Sequence, residues 1–344
     1  MFFALNTFMW QPRFTAAHLP LMGHVASLGG DLVEIQCPDL RGFPTDAVAR
    51  ELNRIGIGCT FSTSSRDPER SLIAADASAR RAGVADLRHA IGVARDLGAS
   101  VICGPLYAPA WWFTGVRATA DQWRWAAEGF ALLAEDLARA GVTPAIEPIN
   151  RFETFVLTTA AQGVALCEEI GCDRIGLLLD TAHMAIEEKD PVAAIRASAR
   201  WLRHLHLPEN DRGTPGTGTI DWPGLFAALV DIDYAGGCAI ESFPFPDPRF
   251  AMPTRTWRDL ARSVDSLALL GRRRCAATVW DARSSGAHAP FTRRAVRSRG
   301  GRAPESGRNG ARPRESARHF ARSATARSSA RTSRNAPDRT PSDP

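Results

Sequence analysis

The chain of 344 residues is 44% hydrophobic and 23% charged, with 28 Gly and 23 Pro, which is enough apolar material for a large core. Its formal charge of +5 averages two unlike parts: residues 272–344 hold 18 Arg against five acids, whereas residues 1–271 hold 24 basic and 32 acidic side chains. An acidic body excludes the clustered cations of a nucleic-acid enzyme, and no run approaches the ~20 apolar residues of a membrane helix.

Taken in chain order, short β-like runs fall at residues 2–7, 32–36, 58–63, 101–104, 143–147, 175–180, 202–206 and 237–241. Between them lie helical patterns, for example at 121–140, 160–170, 222–231 and 255–270. In the first of these, Trp125, Phe130, Leu133 and Leu137 recur at helical spacing. Gly98, Gly141 and Gly171 stand where a helix should stop before the next strand. Eight such alternations in about 270 residues predict an α/β fold, a (β/α)8 TIM barrel over residues 1–271. The rival, a doubly wound open sheet, should carry a Gly-rich phosphate turn after its first strand, and none is present. Residues 272–344 are Arg, Ser, Ala and Pro with almost no apolar period. They are expected to be a disordered basic tail, either natural or read out of frame from a GC-rich gene end.

The N-terminus, M-F-F-A-L-N-T, lacks the basic and then apolar pattern of a secretory leader. Seven Cys form no C-x-x-C pair, and most sit in apolar stretches. Buried free thiols in a reducing cytoplasm are expected, with no membrane and no nucleic-acid partner.

Active sites of (β/α)8 barrels lie at the C-terminal ends of the strands. The last four candidate strands end on Glu147, Asp180, His206 and Glu241, each after an apolar run. One acid ending a strand more often caps a loop. Four such groups at one mouth are different, because three clustered carboxylates repel unless a cation lies among them. Three oxygen ligands and one imidazole suit Mn2+ first, with Mg2+ or Co2+ as alternatives.

Three motifs, I-E-P-I-N-R-F-E-T at 146–154, D-T-A-H-M-A-I-E-E at 180–188 and H-L-P-E-N-D-R-G-T-P-G-T-G at 206–218, resemble those of the ketose 3-epimerases, the D-tagatose and D-psicose 3-epimerase group of the xylose-isomerase-like barrels. E-S-F at 241–243 adds to the likeness, which spans roughly residues 1–270. The resemblance implies that Glu147, Asp180, His206 and Glu241 bind a divalent metal and that Glu153, His183 and Arg212 hold the sugar. It implies that Glu147 and Glu241 also serve as the acid–base pair, and that the chain forms a homo-oligomer, a dimer or tetramer. Epimerising a free ketose at C3 removes a proton α to the carbonyl and returns one on the other face, through a cis-enediolate that a metal on O2 and O3 stabilises.

Other readings are a hydroxypyruvate isomerase, a sugar-phosphate isomerase or a metal-dependent dehydratase of the same fold. A phosphate would want Gly213, Gly216 and Gly218 beside Arg212. A nuclease of the endonuclease IV type would need more histidines than the strands at 32–36, 58–63 and 101–104 offer. His204, two residues before His206, is expected to point the same way one layer deeper, as a core or bracing group. Glu34, at the second strand, is the foremost unassigned acid, read either as a brace of the site or as uninvolved in it. Glu187, Glu188 and Lys189 read as a solvated face, and Asn150 and Arg151 as braces of the loop after the fifth strand.

Overall fold

The computed structural model describes residues 1–285, apart from 66, 244, 246–247 and 250–253. Among these, eight parallel strands close in chain order into a barrel, β8 pairing with β1. They are β1 (Phe2–Asn6), β2 (Leu32–Gln36), β3 (Gly58–Ser62), β4 (Val101–Gly104), β5 (Thr143–Ile146), β6 (Gly176–Asp180), β7 (Leu202–His206) and β8 (Gly237–Ile240). The predicted strands differ from these by at most one residue at an end. No described helix is long and apolar enough to cross a membrane.

The outer ring holds α1 (Leu19–Ser27), α2 (Thr45–Ile55), α3 (Ala77–Asp96), α4 (Ala120–Ala131), α5 (Ala134–Ala140), α6 (Ala160–Ile170), α7 (Thr181–Glu187), α8 (Pro191–Ala197), α9 (Trp222–Asp231) and α10 (Val264–Ser285). Local chemistry sets several ends. Thr119 with Gln122 and Thr159 with Gln162 form reciprocal capping boxes at the starts of α4 and α6. Gly141 and Gly171 take left-handed φ values of 68° and 66° and return their N–H groups to Leu137 and Cys167, which closes α5 and α6.

Two predicted helices differ from those observed. The pattern at 121–140 is two helices, because Leu133 N–H bonds the Phe130 carbonyl in a tightened turn. The helix expected at 255–270 instead starts at Val264, where Ser263 and Ser266 bond each other's backbone N–H. It then continues past residue 271 to Ser285. Cys275 and Val279 are buried in one apolar cluster with Phe3, Phe226 and Leu229, so the first part of the presumed tail is packed structure. The rest of that segment, from 286 onward, lies outside the described residues.

Leu5, Val33, Ile35, Phe61 and Ile146 pack with the helices in the larger apolar cluster. Inside the barrel, towards the strand C-termini, the buried side chains turn polar: Asn6, Glu34, Thr60, Asp180, His204 and His206 are all 2% exposed or less.

Candidate active site

Glu147, one residue past β5, Asp180 and His206, ending β6 and β7, and Glu241, one residue past β8, converge on one point. His206 Nδ1 lies 3.3 Å from Glu241 Oε2, 3.8 Å from Asp180 Oδ2 and 3.9 Å from Glu147 Oε1. It is buried and makes no hydrogen bond. Asp180 is fixed from below, its Oδ1 accepting the Ala182 and His183 backbone N–H groups at the start of α7.

The electrostatics follow from this crowding. Burial pushes the Glu147 carboxyl well above its ordinary range; Asp180 and Glu241 push it further, while His206 and Arg212 pull it back. Burial lowers the His206 imidazole, but Glu34 and Glu241 outweigh it and leave the ring well above its ordinary value. Burial, with Arg212 beside it, drives His183 down to about 3, so its ring is neutral. A positive charge among the carboxylates would remove the conflict.

The residues present fit a divalent cation. Two overlapping sets of mutually close donors, Glu147–Asp180–His183 and Asp180–His206–Glu241, share Asp180 and so form one centre. An unpartnered buried imidazole nitrogen facing three carboxylates is a donor set for a hard divalent ion. A third set, Glu34–Cys103–His204–His206, lies deeper.

The residues expected to hold a sugar surround this centre. Arg212, at φ 66°, places Nη1 2.7 Å from Asp180 Oδ2 and Nη2 3.0 Å from His183 Nε2, and its guanidinium lies over Phe243. His183 Nδ1 receives the Asn150 backbone N–H at 3.2 Å, and Asn150 Nδ2 donates to Glu153 Oε1 at 2.9 Å. Glu153, His183 and Arg212 line a cavity of about 930 Å3 together with Glu147 and Glu241. Trp111 and the edge-to-face pair Phe8–Phe243 give it apolar walls.

Sequence reasoning missed several supports. Asn6 was not singled out, yet its Nδ2 donates to both Glu34 Oε1 and Glu241 Oε1. Glu209 collects the Trp222 indole N–H and the Asn210, Gly216 and Ile220 backbone N–H groups, which fixes the loop carrying Arg212. The solvated-face reading of Glu187 and Glu188 is corrected. Glu187 is clamped by the Arg151 guanidinium and backbone N–H with only 5% of its side chain exposed, and Glu188 accepts the Ala160 N–H at the start of α6.

Comparison with known proteins agrees with this architecture. The profile of the family described as xylose isomerase-like TIM barrel matches residues 23–267. The chain is 33% identical over 266 residues to a probable ketose 3-epimerase of Synechocystis sp., covering 77% of this chain and 92% of that protein. It is 34% identical over 271 residues to an L-ribulose 3-epimerase of Mesorhizobium japonicum, covering 77% and 89%. A solved L-ribulose 3-epimerase superposes with a TM-score of 0.77 at 32% identity, over 84% of this chain and 99% of that one. The chain therefore belongs to the xylose isomerase-like TIM barrel family and, within it, to the isomerases of the ketose 3-epimerase group.

Proposed function

We propose that the protein epimerises a free ketose at C3, with Glu147 and Glu241 as the acid–base pair and a divalent ion, Mn2+ foremost, held by Glu147, Asp180, His206 and Glu241. The observation that carries this reading is His206 Nδ1, buried without a hydrogen-bond partner among three carboxylates, two of which, Glu147 and Glu241, line the cavity. When bound, the ion supplies positive charge against the negative charge that develops on the ketose oxygens.

The chain's own groups do the rest. With one carboxyl protonated and the other ionised, one takes the C3 proton and the other returns a proton to the opposite face. Reversing the direction swaps the roles. Asn6 holds Glu241 Oε1 at 3.0 Å, so this carboxylate presents Oε2 to the centre. Neutral His183 and the Arg212 guanidinium are donors for the substrate oxygens, and Phe8, Phe243 and Trp111 exclude water.

The mouth favours an uncharged sugar over a phosphorylated one. Arg13 and Arg41 face Asp39, Arg70 faces Asp86 and Arg212 faces Asp180, so each of these cations already has a carboxylate. The N–H groups of Gly213 and Gly216 donate to Asp211 and Glu209 and are unavailable to a phosphate. D-allulose occupies the solved D-allulose 3-epimerase of Methylomonas sp., which is 27% identical over 81% of this chain and 97% of that one, with a TM-score of 0.76. A homo-oligomer, dimer or tetramer, belongs to the same proposal.

The test is to incubate the Mn2+-loaded protein in D2O with fructose, tagatose and psicose. C3 epimers should form, with deuterium entering at C3. Epimerisation without deuterium at C3, or no turnover of any ketose, would refute the reading.

A further inference from the structure

One layer below the strand ends lies a buried polar group that the proton transfer does not use. Glu34, on β2, is fully buried. Its Oε1 accepts from Asn6 Nδ2 at 2.8 Å and lies 2.8 Å from His206 Nε2, in close but off-axis contact. Its Oε2 accepts from Thr60 Oγ1 at 2.9 Å, lies 2.6 Å from His204 Nε2 and receives the Cys103 thiol at 3.5 Å. Both oxygens are thus committed, and the deeper donor set that includes Glu34 has no free carboxylate lone pair for a cation.

What this arrangement fixes is its neighbours. A carboxylate 2.8 Å from Nε2 favours a proton on that nitrogen, so the proton that a cation would displace is the one on Nδ1, the atom that faces Glu147, Asp180 and Glu241. Asn6 gives one amide proton to Glu34 and the other to Glu241, while its Oδ1 accepts the Phe8 N–H at 2.8 Å and so settles which way the amide points. A lumen built only for packing would carry branched apolar side chains at this depth. Here it carries a carboxylate, which is costly to bury unless it is paired and hydrogen-bonded, as Glu34 is by Asn6, Thr60 and His204.

We infer that Glu34 is a positioning residue for the cation site, setting the tautomer of His206 directly and the orientation of Glu241 through Asn6. The inference rests on the divalent ion of the proposed function, and its test reads the ion rather than turnover.

The full chain is stripped of metal and titrated with Co2+ by calorimetry and visible absorption. Glu34→Gln keeps the size and removes the charge, and it should weaken Co2+ binding about 10–100-fold and shift the absorption band, with metal-free circular dichroism unchanged. Co2+ affinity within about twofold of wild type would overturn the assignment, since a purely structural role lowers the melting temperature without touching affinity.

Histidine-labelled wild type loaded with Zn2+ gives a second readout by 15N NMR that needs no variant. One ring should carry the ion on Nδ1 and a proton on Nε2. An ion on Nε2 would overturn the inference even if Glu34→Gln failed to fold. A wild type that takes up neither ion would overturn the metal reading itself, a separate and recognisable failure.

Discussion

The two halves of the barrel wall present different side chains to the lumen. Strands β5 to β8 end at Glu147, Asp180, His206 and Glu241; the three carboxylates crowd a His206 nitrogen that has no hydrogen-bond partner, and Glu147 and Glu241 face a cavity. Strands β1 to β4 contribute Asn6, Glu34, Thr60 and Cys103, whose donors and acceptors are spent largely on one another. Neighbouring register makes that possible: Asn6 pairs with Glu34, and Glu34 with Thr60, across adjacent strands. On the proposed function, the contrast separates reactivity from support within one fold. The second half keeps like charges and an unpartnered nitrogen in contact, and the first half supplies the fixed hydrogen bonds beside them.

The largest effect should follow from breaking the reactive half alone. Glu147→Gln or Glu241→Gln should lower kcat for C3 epimerisation by about 10²–10⁴-fold, the usual worth of a positioned acid or base. The metal-free melting temperature should hold or rise, because Glu241→Gln removes one of the charges that push the Glu147 carboxyl up and Glu147→Gln removes the buried carboxyl itself. Activity within about tenfold of wild type would mean that another group moves the proton.

The second half was the legible half, and the reason is physical. A carboxylate at the end of an apolar run, such as G-L-L-L-D at Asp180, is out of place for packing and visible in one dimension. Glycine stops such as Gly141 are legible because only the local backbone decides them. Asn6 and Glu34 act through another residue's ring and rotamer, and no spacing in the chain records that His206 lies 2.8 Å from Glu34. Glu187 read as solvated because its cover, Arg151, comes from 36 residues away. The start of α10 depends on a Ser263–Ser266 pair that the apolar period ignores.

That last helix packs into both apolar clusters, and cutting it should give the next largest effect. Leu267 and Ala268 pack in the cluster that holds Leu5, Val33, Phe61 and Ile240, whereas Cys275 and Val279 pack in the one that holds Phe3, Leu205 and Cys238. Ending the chain after residue 271 removes the latter pair, a loss of about 3 kcal/mol or more for two buried side chains. Ending it after 285 keeps them. The shorter form should melt several degrees lower by differential scanning calorimetry, and the longer should match the full chain in Tm and kcat. Equal melting of both forms would show that α10 past residue 271 adds nothing to the barrel.

Chelation should come next in size. An ion at about 100 times its Kd stabilises the native state by about 2.7 kcal/mol. EDTA should therefore abolish turnover and lower the melting temperature by several degrees, and Mn2+ should restore both. Loss of activity with an unmoved melting temperature would place the ion somewhere other than a site built from four strands.

The smallest effect concerns whether the supporting half depends on the ion at all. Cys59, Cys167 and Cys238 have their thiols pushed up to about 12 by burial, and burial raises Cys103 and Cys275 as well. Cys37 is also buried, and Cys172, just past α6, is half-buried. Thiolate is the reactive form, so a maleimide at pH 8 should label the native chain once, at Cys172, and the denatured chain seven times. Cys103 is the informative site because it touches Glu34 directly. Its protection comes from burial and not from any ion, so chelation should leave the native count at one by mass spectrometry. A second label at Cys103 after EDTA would mean that the inner layer opens when the metal leaves. The support would then be partly a product of the chemistry it serves.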